Sequence, residues 1–188
     1  MTSNFVWEWI NKAGLEILFL RDERTLVTAS GIIVGELNGI TFKLRYKVDC
    51  DPGWNFLKSE LVLESISERK VLSLKKNQSG KWIVNDQVRN DLDGCSYIDI
   101  MTSPFTNTLP IRNLKLKVNQ PKIIKVAYIK IPELEVSSME QEYTRLDKSE
   151  PPTRFLYRNL SNDFKSEIEV NKDGIVTDYS GIWKRVTF

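Results

Sequence analysis

Four glycine turns punctuate this chain: Asn38-Gly39, Ser79-Gly80, Asp93-Gly94 and Asp173-Gly174. Each lies between segments rich in β-branched, aromatic or alternating residues, the local signature of antiparallel strands joined by tight turns. A helical period cannot be followed anywhere for more than two turns. Residues 31–37 with 40–48 form one expected hairpin, and 60–66 with 70–75 another, followed by 81–84. Further strands are expected at 140–146, 154–160, 163–170, 175–178 and 182–187, while 4–12 reads as a strand or a single turn. Residues 123–131 are apolar on both faces, as in a central strand covered on each side. Strand-like spacing continues on both sides of Pro151-Pro152, so that pair marks a rigid loop and not a boundary. The expectation is a single, mainly β domain over residues 1–188, built as a barrel, roll or sandwich.

Composition narrows the chemistry. With 188 residues, 41% hydrophobic and 28% charged, the chain has the profile of a soluble globular protein with a substantial core. A net charge of +2 is too weak to indicate nucleic acid, and the lysines alternating along 42–47 and 114–117 read as solvated strand faces. There is no histidine, which removes histidine bases, Ser-His-Asp triads and most zinc sites at once. No metal, cofactor or catalytic residue is expected. Cys50 and Cys95 are far apart and lack metal-ligand spacing. Residues 1–20 have no basic start, and Glu8, Asn11, Lys12 and Glu16 interrupt their apolar run. Neither a secretory signal nor stable membrane insertion is expected, which implies the cytosol and reduced thiols.

The run Ser103-Pro104-Phe105-Thr106-Asn107-Thr108-Leu109-Pro110-Ile111-Arg112 is unlike an ordinary hairpin: an uncharged polar stretch with two prolines, ending on one arginine. Read as extended, it places Pro110, Arg112 and Leu114 on one face, where a guanidinium needs a partner or a wet pocket. Preceded by Gly94-Cys95 and Asp99-Ile100, this run resembles the signature of a glycolipid-binding family of bacterial proteins. Matching positions extend almost end to end: Gly14, Glu16, Tyr46, Asp51, Trp54, Gly80, Trp82, Pro132, Gln141, Tyr143 and Asp173-Gly174 through Tyr179. The chain departs from the family pattern at Tyr97, where a second acid is usual, at Asn113, where a second arginine is, and at Ser180, where a proline is. The resemblance implies a curled antiparallel β-roll or half-open barrel with an interior cavity, similar in outline to bacterial lipoprotein-localisation factors. It also implies a small amphipathic ligand, a glycolipid.

Candidate binding residues follow from both lines. Asp99 is the nearest acid upstream of Arg112, and the two are expected to share hydrogen bonds on neighbouring strands. Trp54, after the turn Asp51-Pro52-Gly53 and close to Tyr46, is expected at the mouth of the sheet, able to stack on a sugar. Trp7, Trp9, Trp82 and Trp183 are read as packing. Glu16 sits on an apolar strand face with Leu18 and Leu20. If buried it needs a donor, either Arg112 or a tyrosine hydroxyl, or a raised pKa. Gln141 and Tyr143 share a face and suit hydroxyl recognition, and Asn107 caps its own loop or touches ligand.

Three functions are compatible with these residues. The first is a binding protein whose ligand head lies near Asp99, Arg112 and Trp54, with a tail along Ile124, Val126 and Phe164. The second is a carboxylate enzyme drawing its acid and base from Glu16, Asp49, Asp51 and Asp99, marked by two carboxyls about 5–10 Å apart across one cavity. The third is a filled roll without a ligand.

Overall fold

The two ends of the chain meet. Strand β1 (Thr2–Trp9) pairs antiparallel with β15 (Trp183–Arg185), and Trp9 lies opposite Trp183 with their rings stacked 4.8 Å apart. This seam joins two runs of strands into one curled, unclosed 15-stranded sheet in a computed structural model that describes residues 2–187. On one side the sheet continues through β2 (Gly14–Asp22), β3 (Val27–Leu37), β4 (Ile40–Cys50), β5 (Phe56–Ser65), β6 (Arg69–Lys76), β7 (Trp82–Val84) and β8 (Gln87–Val88). On the other it continues through β14 (Val176–Tyr179), β13 (Lys165–Val170), β12 (Arg154–Asn159), β11 (Glu135–Arg145), β10 (Pro121–Lys130) and β9 (Cys95–Ile100). Of residues 4–12, 4–9 lie in β1 and 10–12 form the turn into β2. Every other expected strand is present within a few residues of its expected limits.

Alternation sets the faces. Along β4, Phe42, Leu44, Tyr46 and Val48 are buried while Lys43, Arg45 and Lys47 point to solvent. Strand β10 is covered on both sides along Val126, Ala127 and Ile129, whereas Ile123 is exposed. Trp7, Trp9, Trp82 and Trp183 are all buried, as their reading as packing requires. Asn38-Gly39 closes its hairpin with both residues at positive φ, the backbone a two-residue turn requires. Asp93-Gly94 does not close one: β8 and β9 are the two edges of the sheet and do not pair.

One pair, β9 with β10, is parallel, against the all-antiparallel expectation. A parallel pair needs a long crossover, and here the crossover is residues 101–120, which contain the Ser103–Arg112 run. The extended reading of that run is wrong. Phe105–Asn107 is a 3₁₀ turn and α1 (Thr108–Asn113) is a short helix; together they form a plug in which residues 102–111 are all buried. Both prolines suit this geometry. Pro104 caps the 3₁₀ turn with φ −66°, and Pro110 sits in the first turn of α1, where its missing N–H has no intrahelical partner to lose. The roll's interior is therefore partly filled, and its free space is divided.

Candidate functional site

Glu16 is the anchor of the plug. It is fully buried, and its Oε1 accepts hydrogen bonds from the Tyr46 hydroxyl and from Ser103 Oγ at 2.9 Å. Tyr46 can lie across β3 because Gly31 stands beneath it; a Cβ there would fall inside the phenol ring. Glu16 Oε2 has no hydrogen-bond partner among the described residues. Burial raises the Glu16 pKa to about 8, against the lowering effect of the two hydroxyls, so the carboxyl is mainly neutral at pH 7. Of the two donors anticipated for Glu16, the tyrosine is present and Arg112 is not.

Beside the plug lies a pocket of about 320 Å³. Its polar centre is Asp99, held by Thr106 Oγ1 at 2.9 Å on Oδ1 and by Gln141 Nε2 at 2.6 Å on Oδ2. Burial pushes the Asp99 pKa up, opposed by those two bonds. Asn107 projects from the plug into the same pocket; its Oδ1 accepts from the Tyr143 hydroxyl at 2.8 Å, and its Nδ2 donates back to the Pro104 carbonyl. Asp99, Asn107, Gln141 and Tyr143 are thus brought together. Gln141 and Tyr143 act through Asp99 and Asn107, and neither lines the pocket.

Of the pocket's aromatic wall only Phe164 was picked out in the sequence, as part of the tail path; Tyr157, Tyr128 and the wall role of Tyr179 were not. Tyr157, Phe164 and Tyr179 form a triangle with ring centres 5.9–6.3 Å apart and interplanar angles of 57–77°, and Tyr128 stands opposite Asp99 across the β9–β10 pair. Asn159 lies on the same face as Tyr157. Alternation within 154–160 exposes the Tyr157/Asn159 side in the sequence. The β11–β12 register that sets Tyr157 against Tyr143 and Asn159 against Gln141 is visible only in the fold.

Arg112 does not pair with Asp99. In helical geometry it projects from the other end of the plug, away from the buried side of Leu109 and Ile111. Its guanidinium lies 4.1 Å from the centre of the Trp54 ring and donates to the Asp173 carbonyl. Burial pulls its pKa below the ordinary arginine value, with Asp22 and Asp173 opposing. Nor is Trp54 at an open mouth: it is buried beneath Arg112, at φ +64°, its carbonyl accepting from Asn113 Nδ2 at 3.1 Å. Asp51 serves the turn, receiving the Asn55 amide N–H at 2.9 Å and its side-chain nitrogen. Slight burial raises its pKa, but these bonds hold it below the usual carboxylate value. The expected cluster therefore divides, with Asp99 on one side of the plug and Arg112, Trp54 and Asp51 on the other. Among the described residues no group of histidine, cysteine or carboxylate side chains could hold a metal ion.

A family profile described as "Putative glycolipid-binding" matches residues 4–185. A crystal structure of a DUF1089 family protein from Pseudomonas aeruginosa is similar at 35% identity and a TM-score of 0.79, covering 92% of each chain. No curated protein matches. The chain belongs to this family.

Proposed function

We propose that this member of the family holds the sugar head of a glycolipid in the Asp99 pocket. The observation that carries the reading is a carboxylate and a set of aromatic rings lining one pocket. A carboxylate offers roughly four acceptor sites. Thr106 and Gln141 use one site on each Asp99 oxygen, which leaves acceptors for sugar hydroxyls. The Tyr157–Phe164–Tyr179 triangle supplies flat apolar surfaces for the carbon-bound hydrogens of a sugar, and Phe164, 39% exposed, marks the rim. Tyr128 also lines a neighbouring groove of about 470 Å³ whose apolar side is formed by Leu72, Val84, Leu134, Val136 and Met139. A tail leaving the head pocket past Tyr128 enters that groove. Of the three residues expected to line the tail path, Ile124 and Val126 are packed into the core and Phe164 lines the Asp99 pocket instead.

Binding is favoured over carboxylate catalysis because, among the described residues, Asp99 is the single carboxylate lining the pocket, while Glu16 is fully buried behind Ser103. The test is titration calorimetry with octyl glucoside, and with glucose and octanol separately. Octyl glucoside is expected to bind more tightly than either fragment, and Asp99→Ala to weaken it about 10- to 100-fold, the loss of hydrogen bonds to a charged acceptor. Equal affinity in Asp99→Ala would remove the pocket from the reading.

A further inference from the structure

At the far end of the plug lies another concavity, a cleft of about 460 Å³ that shares no lining residue with the Asp99 pocket. Its floor is apolar: Ile111, Leu116 and Phe155 are buried there, and Pro151 and Pro152 form one wall. Its rim is cationic. Arg112, Lys115, Arg145 and Lys172 face it against two acids, Glu150 and Asp173. Four cations against two acids leave the lining of the cleft with a local excess of positive charge.

The four cations are not equivalent. Arg145 is buried and already satisfied, by the carbonyls of Asp147 and Ser149 at 2.9 and 2.6 Å and by Glu150 at 2.7 Å; it forms the frame. Arg112 is held over Trp54, with Asp22 and Asp173 nearby. Lys115 and Lys172 are exposed and have no acid within salt-bridge distance among the described residues. Lys115 also has φ +40°, a backbone conformation that is uncommon for a residue with a side chain. It follows directly on the helix C-cap, Leu114. Opposite, Gly174 at φ +74° allows the Asp173 turn to pack against the Arg112 side chain; a Cβ there would lie 2.8 Å from Arg112 Cγ.

We infer that this cleft is a second binding site, for an amphiphile whose head is anionic, with the phosphate or carboxylate between Lys115 and Lys172 and the apolar portion on Ile111, Leu116 and Phe155. Two unpaired cations over a hydrocarbon floor complement an acid joined to an alkyl group. They do not complement a neutral sugar. The site is independent of the Asp99 pocket, and the experiment separates the two.

Octyl phosphate, inorganic phosphate and octyltrimethylammonium are titrated calorimetrically at low salt into the wild type, Asp99→Ala and the double variant Lys115→Ala/Lys172→Ala. Both lysines are exposed, so the double variant keeps the fold. Octyl phosphate is expected to bind the wild type and Asp99→Ala alike and to bind the double lysine variant about tenfold more weakly. Raising the salt concentration is to weaken it further. Inorganic phosphate is to bind about tenfold less tightly than octyl phosphate, for lack of the floor contacts, and the octyl cation is not to bind. Unchanged affinity in the double lysine variant, loss of affinity in Asp99→Ala, or equal binding of inorganic phosphate each overturns the assignment.

Discussion

Glu16 is the residue whose chemistry and position conflict most. An acid on the inner face of an apolar strand is removed from bulk solvent, and it meets two hydroxyl donors instead of a cation. With a folded pKa of about 8 against an ordinary 4.5, the folded state holds a proton that the unfolded chain has released. The contribution is fully present below pH 4.5 and is lost as pH rises toward 8. Its slope approaches about 1.4 kcal/mol per pH unit between those limits. Denaturant unfolding at several pH values is expected to show this decline in the wild type and a flatter profile in Glu16→Gln, which keeps the accepting oxygen but cannot ionise. Parallel profiles would mean that Glu16 does not titrate in this window. With no histidine in the chain, few other side chains titrate there to obscure the difference.

Among the elements, the plug determines how the interior is used. Its first half, with Ser103, Thr106 and Asn107, faces Glu16, Asp99 and Tyr143, and its last residues face the cationic cleft. The Asn107–Tyr143 bond ties it to β11. Asn107→Ala leaves the Tyr143 hydroxyl buried and unpaired, at an expected cost of about 1–3 kcal/mol. Tyr143→Phe made in that background is to cost less than the same change in the wild type, because the orphaned hydroxyl goes with it. A double-mutant cycle by urea unfolding measures the coupling; strict additivity would mean that the bond contributes nothing. The polar and proline residues of this run were conspicuous in the chain, but their helical form was not. Two prolines and a polar stretch are equally consistent with an extended loop, and a helix this short gains its stability from burial, which has no local signature.

At the scale of the molecule, the sheet is closed at the terminal seam and open between β8 and β9, where side chains bridge the edges. Trp82 Nε1 donates to the Cys95 carbonyl and Lys76 Nζ to the Ser96 carbonyl, both at 3.0 Å. Trp82→Phe retains an aromatic ring against Phe56 but loses the bridge. It is expected to cost about 0.5–1.5 kcal/mol and to speed amide hydrogen exchange in β9 and β7 more than in β1 or β3. Exchange unchanged in β9 would show that the edge is held by other contacts.

The strands, their faces and the glycine turns could be read from the chain because alternation and turn chemistry act over a few residues. The packing role of four tryptophans and the need of Glu16 for a hydroxyl or a neutral state were equally local. What the chain did not reveal is which distant groups meet: Asp99 with Gln141 and Thr106, Tyr157 with Tyr179, Arg112 with Trp54. Those meetings depend on strand order, on the parallel β9–β10 crossover and on the helical course of the chain at Arg112. Pairing over long sequence separations is chosen by the total burial of the sheet, and no single segment carries that information.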